Sequence, residues 1–174
     1  MPEPAAQPPA PAIHVFLALG SNQGDRQAAL AAAARHLAGC LHVERLSSLY
    51  ETEPAYVSDQ PRFLNMALAG TTTLTPHALL GCLKAIEREM GRVGGIRWGA
   101  RPIDLDILVY GELQLETPEL TIPHARMTER RFVLEPLSEI AADFVIPGTD
   151  KTVQELARNA PNIGDVIARR GPLT

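Results

Sequence analysis

The stretch RWGARPIDLDILVYG, residues 97–111, contains the strand around which the fold is predicted. Its second half is rich in aliphatic, β-branched and aromatic residues, which is typical of a β-strand. Two aspartates, Asp104 and Asp106, interrupt this apolar run. Because side chains alternate faces along a strand and each residue advances about 3.3 Å, both carboxylates should point to one side, roughly 6–7 Å apart. Leu105 and Ile107 should then face the core.

The segments around this strand predict an α+β fold. Further apolar or alternating segments have strand character, and segments rich in alanine and leucine have helical spacing. The predicted strands are 13–19, 43–50, 64–73 and 103–110, and the predicted helices are 25–37 and 76–90. This βαββαβ order is typical of the ferredoxin-like fold, an antiparallel sheet with two helices packed on one face.

Helix boundaries are predicted from capping residues. We expect Asp25, or an earlier turn residue, to cap the first helix. Thr75 is expected to cap the second, with Pro76 at its first helical position. After the aspartate strand we expect a loop, a short helix and a last helix capped by Thr149 or Asp150, which together form a helical C-terminal extension.

Length and composition indicate one domain. The chain has 174 residues, of which 45% are hydrophobic and 21% charged, and this is ordinary globular composition. We therefore expect residues 13–174 to form a single domain. The segment before them, 1–12, is rich in proline and alanine and is expected to be a disordered tail.

The charge balance argues against some classes of partner. A net charge of −4 gives no global positive field that would attract nucleic acid or an anionic membrane surface. A local basic pocket for a small anion remains compatible with it. The chain has neither an apolar run long enough to span a bilayer nor the pattern of a signal peptide. We expect a cytoplasmic monomer that binds small molecules, and neither nucleic acid nor membranes.

The two cysteines, Cys40 and Cys82, lie in apolar, helix-like surroundings. Their spacing is typical neither of a metal site nor of a disulfide framework. We expect both to be buried free thiols, which suits a reducing compartment.

The aspartate pair suggests a metal site. Two parallel carboxylates repel each other unless a positive charge lies between them. Mg²⁺ supplies such a charge and prefers oxygen ligands, and two metal ions about 3.5–4 Å apart are a common device of phosphoryl chemistry. The alternative is that Asp104 and Asp106 are simply solvated on an exposed strand face.

The residues just before the pair favour a polyphosphate ligand. Arg97, Trp98 and Arg101 precede the aspartates, and guanidinium groups make bidentate contacts to phosphate oxygens. The loop upstream contains the glycines Gly91, Gly94, Gly95 and Gly99. Such a loop suggests a mobile lid that excludes water, although a flexible connector is the alternative. These residues would suit an ordinary kinase or a nuclease equally well.

Several stretches, in order, carry a resemblance to a known family. They are LALGSNQGD (17–25), SSLYETEP (47–54), DQPRFLNMA (59–67), IEREMGRVGGIRWGARPIDLDIL (86–108), TIPHARMTERRFVLEPLSEIA (121–141) and IP (146–147). Together they resemble the 6-hydroxymethyl-7,8-dihydropterin pyrophosphokinases of folate biosynthesis, with RWGARPIDLDIL as the most specific stretch. The resemblance implies Mg²⁺-dependent transfer of diphosphate from ATP to the pterin hydroxymethyl group, with release of AMP.

The resemblance also implies roles for particular residues. Asp104 and Asp106 would be the ligands of two Mg²⁺ ions, and Arg92 and Arg101 would bind and activate the phosphates. The further residues implied for ATP are Glu87, Trp98, His124 and Arg130. Those implied for the pterin are Phe63 and Phe132, which would stack on its two faces, and Asn65, Thr52 and Ala55, which would contact its edge. Read singly, the aromatic residues could equally be core, and His124 and Glu87 could be solvated.

Two other functions remain open at this point. One is a two-metal nuclease or phosphohydrolase that uses the same two aspartates. The other is a non-catalytic, ferredoxin-like interaction domain in which the aspartates are solvated. Release of AMP, rather than ADP or inorganic phosphate, would separate the first of these from a pyrophosphokinase, and binding of MgATP would exclude the second.

Overall fold

The computed structural model describes residues 8–92, 94 and 97–174. Its strands are β1 (Ile13–Ser21), β2 (His42–Leu46), β3 (Leu49–Thr52), β4 (Phe63–Thr72), β5 (Asp104–Tyr110), β6 (Leu115–Glu116), β7 (Thr121–Ile122) and β8 (Val166–Gly171). Its α-helices are α1 (Arg26–Leu37), α2 (Pro76–Glu89), α3 (Arg131–Ala141) and α4 (Val153–Asn159), and a 3₁₀ turn at Met127–Glu129 precedes α3. The α+β class predicted from the sequence is confirmed.

Six strands form an antiparallel sheet in the described part of the chain. The order is β5-β1-β4-β3-β8, and β2 pairs with β4 beside β3. Strand β1 lies between β5 and β4 and places Leu17 opposite Leu68 of β4 and Ile107 of β5. A separate two-stranded ribbon joins β6 to β7.

Helices cover both faces of the sheet. On one face, α1 and α2 bury an aliphatic core against β1, β4 and β5, as the sequence predicts for two helices on one face. On the other face, α3 and α4 pack on small side chains such as Ala67 and Ala69 and on Leu108. Because β4 is buried on both faces, its sequence is apolar almost throughout and does not alternate.

The predicted strand 43–50 is divided into β2 and β3. Ser47 interrupts the ladder, because its hydroxyl accepts a hydrogen bond from the Ala67 amide and donates one to the Ser48 carbonyl, both at 2.8 Å. Local side-chain hydrogen bonds of this kind compete with strand pairing. The two halves pair with successive segments of β4.

Two predicted caps are confirmed and one is wrong. The Asp25 carboxylate accepts a hydrogen bond from the Ala28 amide at 3.0 Å, and Thr75 accepts one from the Ala78 amide at 3.2 Å. The last helix is capped neither by Thr149 nor by Asp150. Thr149 donates to the Ile146 carbonyl within the preceding turn. Thr152 caps α4 and forms a capping box with Glu155.

The C-terminal extension is not purely helical, which corrects the prediction. Strand β8 follows α4 and pairs with β3 at the edge of the sheet. Arg170 of β8 forms an ion pair with Glu51 of β3, and Arg169 donates hydrogen bonds to Ser48 and Glu139. An edge strand with one solvated side carries charges, so its sequence lacks the apolar run of a central strand.

Cys40 and Cys82 form a disulfide, so the prediction of two free thiols is wrong. Cys40 lies in the turn after α1 and Cys82 lies on α2, with their Cα atoms 6.2 Å apart. The two helices pack side by side on the sheet, and this packing brings together cysteines that are 42 residues apart in the chain. A separation of that length carries no local signal of pairing.

Residues 8–12 are exposed and have no regular secondary structure, and residues 1–7 of the predicted tail lie outside the described residues. Within the described part of the chain, no helix combines the length and apolar character needed to cross a membrane.

Candidate active site

A cavity of about 300 Å³ opens where β1, β3, β4 and β5 meet the loops that precede β5 and α3. It collects the candidate site residues singled out from the sequence, with the exceptions of Glu87 and Arg97. They are Thr52, Ala55, Phe63, Asn65, Arg92, Trp98, Arg101, Asp104, Asp106, His124, Arg130 and Phe132. Segments far apart in the chain therefore converge on one concave site.

The two aspartates face this cavity from β5. Leu105 and Ile107 point to the other side of the strand and are 0% and 3% exposed in the core. On the neighbouring strand β1, Gly20 lies opposite Asp104 and Ala18 lies opposite Asp106. Small residues at these positions leave space in front of the carboxylates, and the same-side arrangement predicted from the strand period is confirmed.

Gly20 also makes room for a polar residue on its other side. A Cβ atom at this position would come within 2.5 Å of the Asn65 side-chain oxygen. Asn65 is buried, and its amide nitrogen donates a hydrogen bond to the Thr52 hydroxyl at 2.8 Å. The Asn65–Thr52 pair is thus oriented at the edge of the cavity by β3 and β4.

Asp104 is held by two arginines. Its Oδ1 atom lies 2.8 Å from Nη1 of Arg92 and 3.2 Å from Nη1 of Arg101. These three side chains are about one-quarter exposed, so the guanidinium groups remain accessible to a ligand in the cavity.

Asp106 carries the less compensated charge of the pair. Burial raises the pKa of the Asp106 carboxyl well above its usual range, and the neighbouring charge of Asp104 raises it further. Lys84 and Arg130 act in the opposite direction on this pKa but do not cancel the shift. The cavity therefore contains a position that favours an additional positive charge.

Glu87 lies behind the cavity wall. It is 3% exposed on α2, and its carboxylate accepts a hydrogen bond from the Leu105 amide at 2.8 Å. It also pairs with Lys84 at 3.1 Å and with Arg92 at 2.6 Å. Glu87 therefore orients two cations of the cavity, and it lines a neighbouring cavity rather than the central one. Its predicted contact with the nucleotide stays a prediction.

His124 is neutral at pH 7. Burial, together with the positive charge of Arg130, lowers the pKa of His124 to about 4. The Arg126 amide donates a hydrogen bond to His124 Nδ1 at 3.2 Å, so the ring proton is on Nε2. His124 can donate a hydrogen bond to an anionic ligand without bringing a charge.

The two phenylalanines reach the cavity from a strand and from a helix. Phe63 begins β4, whereas Phe132 lies in the first turn of α3. Gly164, at φ +66°, allows the chain to pass behind Phe132, because a Cβ atom there would meet that ring at 2.4 Å. Arg130, 6% exposed, lies beside Phe132 with its guanidinium carbon 5.6 Å from the ring centroid.

Sequence reasoning missed Asn22, which connects three loops around the site. It is 1% exposed. Its side-chain amide donates to Gln60 and to the Pro61 carbonyl at 3.0 and 3.1 Å, and its oxygen accepts from the Arg101 amide at 2.7 Å. Gln60 in turn donates to the Trp98 carbonyl at 2.8 Å. The sequence marked this position only as a turn.

Three further cavity residues were also missed, Tyr56, Lys84 and Arg126. Lys84 precedes Glu87 by one helical turn, and this ion-pair spacing was the one available signal for it. Tyr56 and Arg126 lie in loops, where periodicity gives no information. Of the glycine-rich loop, Val93, Gly95 and Ile96 lie outside the described residues, so the lid stays a prediction.

The cavity combines two carboxylates on one strand with several cationic side chains, and two phenylalanines lie beside them. This combination is typical of proteins that transfer phosphoryl groups, and the phenylalanines suit a substrate with a flat ring. Comparison with known proteins makes this class specific. Residues 16–142 match the family described as 7,8-dihydro-6-hydroxymethylpterin-pyrophosphokinase (HPPK). The chain belongs to this family.

Curated relatives support the assignment. The chain is 48% identical over 127 residues to the 2-amino-4-hydroxy-6-hydroxymethyldihydropteridine pyrophosphokinase of Bacillus subtilis, covering 72% of this chain and 76% of the relative. It is 47% identical over 150 residues to the protein of the same name from Methylorubrum extorquens, covering 84% of this chain and 94% of the relative.

Other relatives are longer proteins. The chain is 53% identical over 127 residues to the mitochondrial folate synthesis bifunctional protein of Pisum sativum, covering 72% of this chain and 25% of the relative. The chain thus spans about a quarter of the length of this plant protein. The wild-type HPPK-DHPS structure of Plasmodium falciparum has a TM-score of 0.70 at 17% identity, covering 85% of this chain and 42% of that chain, and indicates a common fold.

Proposed function

We propose that the chain is a 2-amino-4-hydroxy-6-hydroxymethyldihydropteridine diphosphokinase of tetrahydrofolate biosynthesis. It transfers diphosphate from ATP to 6-hydroxymethyl-7,8-dihydropterin and releases AMP. The observation that carries this proposal is the convergence on one cavity of the phosphate and pterin residues implied by the family stretches. The names of the bacterial relatives describe the same activity for those proteins.

Two Mg²⁺ ions are part of the proposal. Asp104 and Asp106 supply oxygen donors on one side of one strand, which is the ligand type that Mg²⁺ prefers. Burial and the neighbouring charge of Asp104 raise the pKa of Asp106, and a bound divalent cation would offset both effects. Among the described residues no group of three or more His, Cys, Asp and Glu side chains is placed to hold a metal ion. Phosphate oxygens and water would therefore complete the coordination, as is usual for Mg²⁺.

The chain's own residues bind and orient the reactants. Mg²⁺, when bound, neutralises phosphate charge and aligns the phosphate chain. Arg92 and Arg101 exchange part of their contact with Asp104 for phosphate oxygens, and His124 donates a hydrogen bond from Nε2. The pterin hydroxyl oxygen forms a bond to the β-phosphorus while the bond from that phosphorus to the α–β bridging oxygen breaks. AMP leaves, and the hydroxyl proton is lost to an acceptor that we do not assign.

The pterin is proposed to bind between Phe63 and Phe132. Stacking of a flat ring on aromatic side chains contributes about 1 kcal/mol beyond the buried area. Asn65 and Thr52 present donors and acceptors to the ring edge, and Ala55 lies beside them. Trp98 and Arg130 are proposed to contact ATP, and Glu87 to act through Arg92 and Lys84, with which it forms ion pairs.

We also infer the finer features of the frame and its setting. If β2 and β3 count as one interrupted strand, the order β5-β1-β4-β3 supports the ferredoxin-like βαββαβ description, with α3, α4 and β8 as the extension. Residues 13–174 are proposed to form one domain, as a monomer in the cytoplasm. For comparison, two plant relatives carry the word mitochondrial in their names.

The test is a product assay with the purified chain, ATP, Mg²⁺ and 6-hydroxymethyl-7,8-dihydropterin. The expected products are AMP and the diphosphorylated pterin in equal amounts. Formation of ADP or inorganic phosphate instead would reject the proposal in favour of an ordinary kinase or a phosphohydrolase. Calorimetric titration with MgATP, in the absence of pterin, would show binding and would exclude a purely structural domain.

A further inference from the structure

The mouth of the cavity holds Tyr56 and Arg126, which the proposed roles do not explain, beside Trp98. The ring centroids of Tyr56 and Trp98 are 4.5 Å apart, with the planes tilted by 44°. The guanidinium carbon of Arg126 lies 5.2 Å from the Tyr56 centroid and 5.4 Å from the Trp98 centroid. Both distances are within the range of a cation–π interaction. We call Tyr56, Trp98 and Arg126 the mouth cluster.

The members of the mouth cluster come from three separate loops. Tyr56 lies between β3 and β4, Trp98 lies in the segment before β5, and Arg126 lies between β7 and the 3₁₀ turn. Arg126 therefore contacts both rings from another wall of the cavity. The Arg126 guanidinium thus connects the segment after β7 to the two loops that carry Tyr56 and Trp98.

The backbone of Trp98 requires such support. Trp98 has φ +65°, a left-handed conformation that bulky residues rarely adopt. An unfavourable backbone conformation persists only where surrounding contacts hold it. One of these contacts is the hydrogen bond from Gln60 to the Trp98 carbonyl, and the stacked rings and guanidinium groups supply others.

Arg126 differs from its neighbour Arg130. Arg130 also lies over both rings, with its guanidinium carbon 5.5 Å from the Tyr56 centroid and 5.4 Å from the Trp98 centroid. Arg130 is buried, however, and its Nε donates a hydrogen bond to the Tyr56 hydroxyl at 3.1 Å, so its position has a second support. Arg126 is exposed, and it forms an ion pair with Glu129 at 3.3 Å in which both side chains are nearly half exposed. An ion pair with that exposure contributes little to orientation. The aromatic rings are therefore the main contacts that orient Arg126.

We propose that Arg126 is a positioning residue that holds Trp98 against Tyr56 across the mouth of the cavity. A side chain that is ordered before a ligand arrives lowers the entropy lost on binding. Arg126 thus acts on substrate binding through Trp98, and it acts less on the rate of the chemical step. The kinetic part of this inference rests on the proposed function, whereas the structural part does not.

The structural part is tested by the fluorescence of Trp98, which is the one tryptophan in the chain. Arg126→Ala, Arg126→Lys and the wild-type chain are compared in emission and in acrylamide quenching, without substrates. Arg158→Ala serves as the matched control, because Arg158 is an exposed arginine on α4 outside the cavity lining. We expect Trp98 to be quenched more strongly in Arg126→Ala. Arg126→Lys should lie between that variant and wild type, since an ammonium group retains part of the cation–π interaction.

The kinetic part uses the AMP-release assay on the same variants. Loss of two exposed cation–π contacts should raise the KM of Arg126→Ala by about three- to ten-fold. Its kcat should stay within about two-fold of wild type, because the contact is not made to the reacting atoms. A fall in kcat at unchanged KM would overturn this part of the inference.

The two proposals can fail separately. Equal quenching of Trp98 in Arg126→Ala and Arg158→Ala overturns the positioning role, even if the chain releases AMP. Stronger quenching in Arg126→Ala supports the positioning role, even in a chain that releases no AMP, and in that case only the proposed function is rejected. Circular dichroism of each variant verifies that the fold is retained.

Discussion

Among the residues of the cavity, Asp106 should show opposite effects on catalysis and on metal-free stability. Its carboxylate is half-buried and faces the charge of Asp104, so the charge is unfavourable in the absence of a cation. Asp106→Asn keeps the shape and removes the charge. If Asp106 is a metal ligand, turnover should fall by about a thousand-fold or more, because metal-assisted charge stabilisation contributes several kcal/mol.

The same variant should be more stable than wild type when magnesium is removed with a chelator. The exposed Asp143, on the segment after α3, provides the matched control. Asp143→Asn should change neither the turnover with Mg²⁺ nor the stability in the presence of chelator. Thermal denaturation with chelator and AMP release with Mg²⁺ measure the two effects. Near-normal turnover in Asp106→Asn would rule out the metal-ligand role.

Arg101 is suited to a clean truncation. Its backbone is held on both sides by Asn22, through the Asn22 side-chain oxygen at 2.7 Å and the Asn22 amide at 3.1 Å. Arg101→Ala should therefore remove the guanidinium without moving the loop. We expect kcat to fall by about a hundred-fold or more, because a donor aimed at developing charge acts mainly in the transition state.

The affinity of Arg101→Ala for MgATP should change by less than about ten-fold, because ground-state contacts to the other cations remain. Calorimetric titration with an unreactive ATP analogue measures this affinity, and single-turnover kinetics measure the chemical step. A loss of affinity as large as the loss of rate would show that Arg101 binds the ground state and transition state equally.

At the scale of elements, Glu51 joins β3 to β8 and to α1. Hydrogen bonds from Arg170 lower the pKa of Glu51 below its usual value, and Arg26, at 3.1 Å, lowers it further against the effect of burial. A lowered pKa in the folded state means that the unfolded state binds more protons in acid. The stabilisation is therefore present above the unfolded pKa of about 4.3 and is lost as the pH falls through the folded value.

Glu51→Gln should test this linkage. At neutral pH we expect it to lower the free energy of unfolding by about 1 to 2 kcal/mol, since the ion pairs with Arg170 and Arg26 are replaced by hydrogen bonds to a neutral amide. The difference from wild type should shrink in acid, below about pH 4. The exposed Glu119→Gln is the control. A difference that stays constant across this range of pH would mean that Glu51 does not titrate with a shifted pKa.

The elements differ in how far their sequence predicts them. The strand period at Asp104 to Ile107 predicts β5 and the direction of its carboxylates, because alternation is a property of the local backbone. Thr75–Pro76 likewise marks the start of α2 through local chemistry. Strand β8 is not predictable in this way, because its pairing with β3 and its charges depend on being at the sheet edge.

The residues of the candidate site also divide into those that the local sequence predicts and those that depend on contacts between distant segments. Residues within the stretch around Asp104 and Asp106 were predicted from residue type and from the family resemblance. Asn22, by contrast, acquires its role only when folding brings Gln60 and Arg101 to it, from 38 and 79 residues away. Tyr56 also depends on a partner in another loop. Contacts between distant loops leave no periodic signal in a single sequence.

At the scale of the whole molecule, the disulfide between Cys40 and Cys82 connects the turn after α1 to α2. Neither cysteine lines the central cavity. A cross-link over 42 residues removes conformational entropy from the unfolded chain, and the usual entropy relation gives about 4 kcal/mol for a loop of this length. The bond should therefore act on stability, while the geometry of the cavity is maintained by the packing of α2 on the sheet.

Reduction of the disulfide should accordingly lower the melting temperature by about 10 °C, with little change in AMP release at room temperature. Thermal denaturation with and without a thiol reductant measures the shift.

Thiol titration of the denatured chain establishes whether the bond was present before reduction, since both cysteines would be unreactive in the oxidised chain. The variant with Cys40→Ala and Cys82→Ala is the control, because its melting temperature should not respond to the reductant. If wild type is confirmed as oxidised and still melts at one temperature under both conditions, the bond does not stabilise the fold. In that case the apolar core alone would hold α1 and α2 in their arrangement.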